Sequence, residues 1–309
     1  MNVRTTKDRI LRAKVINDCN LNCFFCHREG SAVSMPMTIE QIHTLTDFAC
    51  QYGYSKFHIT GGEPTLHRDL PEMVGLVRSH DLACSLTTNG QFNSRILTSL
   101  SATGLDNVNF SFHTLRSTEW AKIQGHEDRS LSQRQIDRLI HNIAESSRLG
   151  IFTKVNTVVG DDPELALEVI NQLSEFDVDI RLLNILGSDR SLQNIDVVLE
   201  SIQANRRETI ESLGSSETRK VYDTKMGKIT VKLIGNQRLT TMCTGCNLPC
   251  LEGFYNTRVE SIDGELYVRL CLHRTDSMSH FRLSEFCKSK QLEEIMSLGE
   301  GVNYVDKSC

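Results

Sequence analysis

The chain is expected to be an α/β protein, a (β/α)6 partial TIM barrel with a small C-terminal domain closing its open side. Three observations predict this. Short β-like runs alternate with helical patterns from residue 10 to about 186, and repeated β/α units build a parallel sheet with right-handed crossovers. Four unusual segments each follow a strand, where ligand sites of parallel sheets lie. Six strands are too few to close a barrel of eight, so something else must cover the gap.

Each element has a local reason. The candidate strands are Ala13–Asn17, Lys56–Thr60, Cys84–Thr88, Asn107–Phe112, Thr153–Val159 and Asp179–Leu186. A helix from Thr38 to Tyr52 opens with Gln41 three positions after Thr38, the spacing of a capping box. Further helices are expected at Asp69–Ser79, Ser94–Ala102, Gln133–Leu149 and Pro163–Glu175. Pro163 suits a first turn, and Gly53, Gly104 and Gly150 sit at helix ends. Beyond the sixth strand, Val197–Leu213 reads as a helix and Tyr222–Ile234 as a hairpin turning near Met226-Gly227. Asp263-Gly264 favours a primed turn within a hairpin from Arg258 to Val268, and Leu283–Leu298 reads as a final helix. The expected divisions are a core barrel over residues 1–187, a linking helix and hairpin over 188–240, and a C-terminal domain over 241–309.

Composition excludes several classes. With 39% hydrophobic residues in 309, the chain can bury a sizeable core. A formal net charge of −5 gives no strong attraction to nucleic acid or acidic membranes. The N-terminus lacks a signal-like apolar stretch, and no run of about 18 apolar residues could span a bilayer. A cytoplasmic protein without membrane or nucleic-acid partners is therefore expected. In that reducing setting, eleven cysteines point to metal more than to disulfides. Cys50 and Cys84 are the exceptions, reading as small buried hydrophobes inside apolar patterns.

Cys19, Cys23 and Cys26 follow the first strand with spacing C-x3-C-x2-C. Three thiolates at this spacing can hold three corners of a [4Fe–4S] cluster, leaving one iron open. Zinc is the other reading, with Cys23/Cys26 as a C-x2-C pair and His27 as a further ligand. Gly61-Gly62-Glu63-Pro64 after the second strand decides between them. Two glycines let the backbone approach a ligand closely, and Glu63 adds an acceptor for an ammonium group. Asp18–Cys26 together with Gly61–Pro64 resembles the cluster loop and following turn of radical S-adenosylmethionine (SAM) enzymes. That resemblance implies that the amino-acid end of SAM chelates the open iron. Reductive cleavage then yields a 5′-deoxyadenosyl radical, which abstracts hydrogen from an unactivated carbon. It also implies an electron donor such as flavodoxin or ferredoxin.

A second group comprises Cys243, Cys246, Cys250 and, 20 residues later, Cys271. By spacing alone it fits zinc or iron–sulfur. Behind a radical SAM barrel an auxiliary [4Fe–4S] cluster is expected, with the hairpin between Cys250 and Cys271 returning the last ligand to the first.

Within that superfamily the chain resembles the GTP 3′,8-cyclases of molybdenum-cofactor biosynthesis. The segments that carry this are Leu11-Arg12, Asp18–Cys26, Lys56–Pro71, Leu86–Gly90, Gly104–Ser111 and Lys154–Val159. The resemblance implies that Phe25 packs on the SAM adenine and that Gly62, Ser111 and the backbone at Leu186 complete SAM binding. Arg12, Thr88 and Lys154 match positions that hold substrate in the cyclases. His58 stands where the family places an arginine. Leu248-Pro249-Cys250 stands where the cyclases carry Arg-x-Arg, and Lys307-Ser308-Cys309 where they end in Gly-Gly. Cys250 offers a fourth ligand that would close the auxiliary cluster. These departures predict hydrogen abstraction from a small polar molecule (a nucleotide, nucleoside or sugar-type metabolite) other than GTP. The alternatives are the GTP 3′,8-cyclase reaction itself, peptide modification, for which no leader-binding domain is visible, and a non-catalytic metal-binding interaction protein.

Overall fold

The computed structural model describes residues 2–26, 33–235, 237–248, 250, 253–274 and 276–298. His27, Pro249 and the 307–309 terminus, invoked above, lie outside them. Six parallel strands form the centre of the sheet: β2 (Ile10–Ile16), β3 (Lys56–Gly61), β4 (Ala83–Thr88), β5 (Asn107–Ser111), β6 (Phe152–Val159) and β7 (Asp179–Asn184). These are the six expected strands, adjacent in chain order. The sheet then continues on both sides. Beyond β7 come β10 (Gly227–Ile234), β9 (Glu217–Thr224), β8 (Asn205–Ser212) and β1 (Asn2–Thr6). Beyond β2 come β11 (Thr257–Ile262), β12 (Glu265–Arg269) and β13 (His280–Arg282). Residues from β2 and β9, far apart in that order, line one cavity, so the sheet is curled into a half-barrel.

The helices cover the outer face: α1 (Ile39–Gln51), α2 (Leu70–Ser79), α3 (Arg95–Ala102), α4 (Ser117–Gln124), α5 (Arg129–Arg148), α6 (Glu164–Leu173) and α7 (Asp189–Ser201). The Thr38 capping box forms as expected, with Thr38 Oγ1 accepting the Gln41 N–H and Gln41 Oε1 accepting the Thr38 N–H. Outward strand residues such as Leu11, Phe57, Ile59, Leu86, Val108 and Phe110 are fully buried in one core with Ile42, Leu45, Met73, Val77 and Leu139 of the helices. Each such side chain contributes about 1.5–3 kcal/mol of burial. The alternate strand residues, among them Arg12, His58, Ser85 and Lys154, face the lumen. A half-barrel packed outside and polar inside is a binding chamber.

Two expectations need correction. The helix expected at Val197–Leu213 is the end of α7 followed by β8. Gln203 adopts a left-handed φ of 53°, reversing the chain into a strand that pairs with β9 on one side and β1 on the other. The expected Leu283–Leu298 helix is broken into α9 (Leu283–Phe286) and α10 (Lys290–Ser297), because Ser289 accepts the Leu292 N–H and starts a new helix. The N-terminal strand β1 and the short helix α4 carried no recognised signal. The β9–β10 and β11–β12 hairpins form where expected, the latter with positive φ at both Asp263 and Gly264.

Candidate active site

The first cysteine group lies on the loop leaving β2, clamped from two sides. From α4, Gln124 accepts the Asn22 N–H through Oε1 (2.9 Å) and donates through Nε2 to Cys23 Sγ (3.2 Å). Phe24 N–H bonds to the Ile123 carbonyl. From the loop after β4, Asn89 donates to Asn20 Oδ1 (2.8 Å) and approaches Cys19 Sγ at 3.7 Å. Burial raises the Cys19 and Cys23 thiols above their ordinary range, and the neighbouring charges, Cys26 among them, raise both further. Gathered thiols with N–H donors aimed at their sulfurs suit a cationic iron–sulfur core, which holds them as thiolates.

The Gly-Gly-Glu-Pro turn is a latch for this loop. A Cβ on Gly62 would stand 2.3 Å from the Asp18 carbonyl oxygen, and one on Gly61 would stand 2.5 Å from that of Ile16. The close approach demanded of both glycines is thus to the cysteine loop's own backbone. Glu63 is fully buried and accepts from Thr65 N, Thr65 Oγ1, Thr88 Oγ1 and Asn89 N. Burial raises its pKa against these hydrogen bonds. Pro64 opens a single 3₁₀ turn behind it. Glu63 therefore ties the β3 and β4 loops together. Thr88, expected to hold substrate, spends its hydroxyl on Glu63 and Gly90 and does not line the lumen.

The other rim residues gather nearby. Phe25, 44% exposed, meets His113 edge-on at 5.3 Å. His113 follows Ser111, the last residue of β5, and accepts the Val158 N–H at Nδ1. Burial holds its pKa down to about 4, so it is neutral. Leu186 lies just past β7, partly exposed.

The lumen is a cavity of about 340 Å³ lined by Arg12, Lys56, His58, Lys154, Arg181, Arg219, Glu217 and Tyr255, among others. His58 is in register with Arg12 and hydrogen-bonds Ser85 Oγ (2.6 Å) and Thr87 Oγ1 (2.8 Å). Lys56 is held by Asp8 at 2.6 Å, and Glu217 is shared by Lys232 and Arg219. Lys154 pairs with no carboxylate among the described residues; its ammonium sits over the Phe152 ring. Burial first, then the Arg181, Arg219 and Lys56 charges against Asp179, lower its pKa to about 8. Among the described residues Arg181 hydrogen-bonds only Asn156 Oδ1, at 3.5 Å. Mutually repelling cations in a concave polar chamber are the electrostatic signature of an anion site. Arg181 and Arg219 were missed from sequence. Arg181 was findable, two residues after Asp179 on the strand face shared with the lumen; Arg219 lay in the segment misread as linker.

Cys243, Cys246, Cys250 and Cys271 line one cavity with Arg238, His273 and Arg274. Cys243 closes the short helix α8 (Thr240–Cys243), and Cys246 N–H turns back to its carbonyl. The chain leaving β12 delivers Cys271, as the expected hairpin does. Burial raises the Cys243 thiol, and Cys250, Cys271 and Cys246 raise it further. Gly253 N–H donates to Cys250 Sγ at 3.3 Å. Four thiols lining one cavity suit a second cationic cluster.

A parallel half-barrel with three clustered thiols at its carboxyl rim, latched by Gly-Gly-Glu-Pro, defines a radical SAM enzyme. The model of the radical SAM superfamily matches residues 14–164. The chain belongs to the radical SAM family that includes the GTP 3′,8-cyclases. It is 30% identical to a probable GTP 3′,8-cyclase of Thermoplasma volcanium, with 88% of this chain and 82% of that protein covered. A protein of the same name from Sulfolobus acidocaldarius is 27% identical, with 92% and 87% covered. Among solved structures, Streptococcus suis SuiB bound to the precursor peptide SuiA gives a TM-score of 0.54 at 18% identity. That match covers 66% of this chain and 49% of SuiB, so the chain spans about half its length. Methylornithine synthase gives 0.50 at 16% identity, covering 63% and 62%. These two speak for the fold alone. The protein is thus an enzyme that uses SAM on a [4Fe–4S] cluster and carries an auxiliary [4Fe–4S] cluster. Among the described residues no helix is long and apolar enough to cross a membrane.

Proposed function

We propose that the chain is a GTP 3′,8-cyclase, joining C3′ of the ribose to C8 of the guanine. This replaces the expectation of a substrate other than GTP, because the relatives that match most of the chain bear the cyclase name. The observation that carries it is the crowding of Lys154, Arg181 and Arg219 in the lumen, a chamber suited to a triphosphate. Arginine and lysine donors there would bind phosphate oxygens by charge-assisted hydrogen bonds. Arg12 would extend the same wall, and His58, held by Ser85 and Thr87, would offer a fixed polar edge.

Cys19, Cys23 and Cys26 would ligate the first cluster, with Gly61, Gly62, Glu63, Pro64, Phe25, Ser111 and Leu186 shaping the SAM pocket around it. The bound pair supplies a carbon radical able to take hydrogen from an unactivated carbon. The half-barrel would hold the target ribose within reach of that radical and keep water away from both. The second cluster would use Cys243, Cys246, Cys250 and Cys271. Where the cyclases carry Arg-x-Arg, this chain has Leu248-Pro249-Cys250, yet Arg238 and Arg274 reach the same cavity from elsewhere in the sequence.

Cys250 favours a second reading, the small polar substrate other than GTP, since a fourth thiolate closes the cluster to substrate. The two separate on product analysis. Reconstituted enzyme given reductant, SAM and GTP should consume GTP and release the cyclised nucleotide, and Lys154→Ala should raise KM for GTP tenfold or more. Production of 5′-deoxyadenosine with GTP left intact would sink the cyclase reading and leave the second.

A further inference from the structure

On the outer surface, His43, Asp47 and His80 each bring one ligand atom to within 4.8 Å of the others. None of them lines the lumen or the second cysteine cavity. His43 and Asp47 stand four residues apart on α1 and so share a face. His80 caps the C-terminal end of α2, which packs on α1. His43 Nδ1 lies 3.0 Å from one oxygen of Asp47, and His80 Nε2 lies 3.5 Å from the other.

The tautomer of His80 is determined by its neighbour. Its Nδ1 is 2.9 Å from the Leu76 carbonyl, which can only accept, so Nδ1 carries the hydrogen. In the neutral ring, Nε2 is then a lone pair facing a carboxylate lone pair, a contact that a proton on Nε2 or a metal ion would satisfy. A single divalent ion meets the same three donors with both rings neutral. Two imidazoles and a carboxylate suit the zinc class rather than calcium or magnesium. The Nδ1–H to carbonyl bond of His80 is the outer-sphere contact that orients metal-binding imidazoles.

We infer that His43, Asp47 and His80 form a site for a divalent transition-metal ion of the zinc class, cross-linking α1 to the end of α2 and completed by water. The test uses holoenzyme with both clusters intact under argon. Equilibrium dialysis against Zn²⁺ counts the metal, and thermal melting reads the cross-link. Wild type should bind about one zinc per chain beyond any uptake at the cysteines, with a raised Tm. A His43→Gln/His80→Gln variant should lose both while keeping wild-type iron content and SAM cleavage. His80→Gln alone serves if the double variant folds poorly. Equal zinc uptake and equal Tm shifts in variant and wild type would overturn the site. So would wild-type holoenzyme that takes up no zinc.

Discussion

Lys154 shows how far one residue carries the account. Its ammonium, held to a pKa of about 8, is only partly charged in mildly alkaline solution. A bound phosphate stabilises the charged form and so raises that value. Affinity for a triphosphate should be full below about pH 8 and weaken above it, as the free enzyme loses the proton that binding requires. Lys154→Arg should flatten that dependence, because guanidinium stays charged; KM for GTP against pH between 7 and 9.5 checks it. At the rim, Gln124 offers a second test. Gln124→Glu removes the donor to Cys23 Sγ and sets a carboxylate against a thiolate. The midpoint potential of the first cluster should fall, and its EPR signal should shift while iron content stays near wild type, whereas unchanged values would make Gln124 a packing residue only. Sequence signalled Cys19, Cys23 and Cys26 by spacing. Gln124 was invisible because its role depends on a helix closing over a loop 101 residues away.

The elements divide by how local their causes are. The six central strands and five of their covering helices were legible because alternation, caps and terminal glycines lie within each segment. The region after β7 was not. Val197–Leu213 mixes a true amphipathic helix with a strand, and only pairing with β9 and β1 makes Asn205–Ser212 extended. The Gly-Gly-Glu-Pro turn was read as a surface for ligand; its two glycines also pack tightly against residues 16–18. Gly62→Ala should therefore displace the cysteine loop itself. The expected result is a folded barrel with the second cluster present and the first lost, about half the iron of wild type, with little SAM cleavage. Glu63→Gln would set an amide donor among four donors, costing about 1–3 kcal/mol. Its melting temperature should fall even in protein without clusters, which a purely SAM-binding glutamate would not cause.

At the scale of the molecule, the sheet does not stop where the barrel was expected to end. β10 pairs with β7, and β11 pairs with β2. The segments expected as linker and C-terminal domain thus extend both walls of one chamber. That is why the lumen draws Arg219 and Tyr255 from beyond residue 187. The fold class was legible early, since β/α alternation constrains topology strongly. The substrate was not. Departures such as His58 and Cys250 pointed away from GTP, while the cations that restore the case for it come from strands only the tertiary structure brings together. If all four distal cysteines hold a cluster, iron should reach about eight per chain, and Cys250→Ala should change the spectrum of the second cluster alone.

In the proposed reaction a hydrogen atom leaves C3′ of GTP for the 5′ carbon of the deoxyadenosyl radical, and the radical centre passes to the ribose. Reconstituted enzyme supplied with reductant, SAM and GTP deuterated at C3′ tests it most directly. The account predicts deuterium in the 5′-deoxyadenosine formed, matched mole for mole by nucleotide joined at C3′ and C8. Unlabelled 5′-deoxyadenosine with GTP recovered unchanged would contradict it.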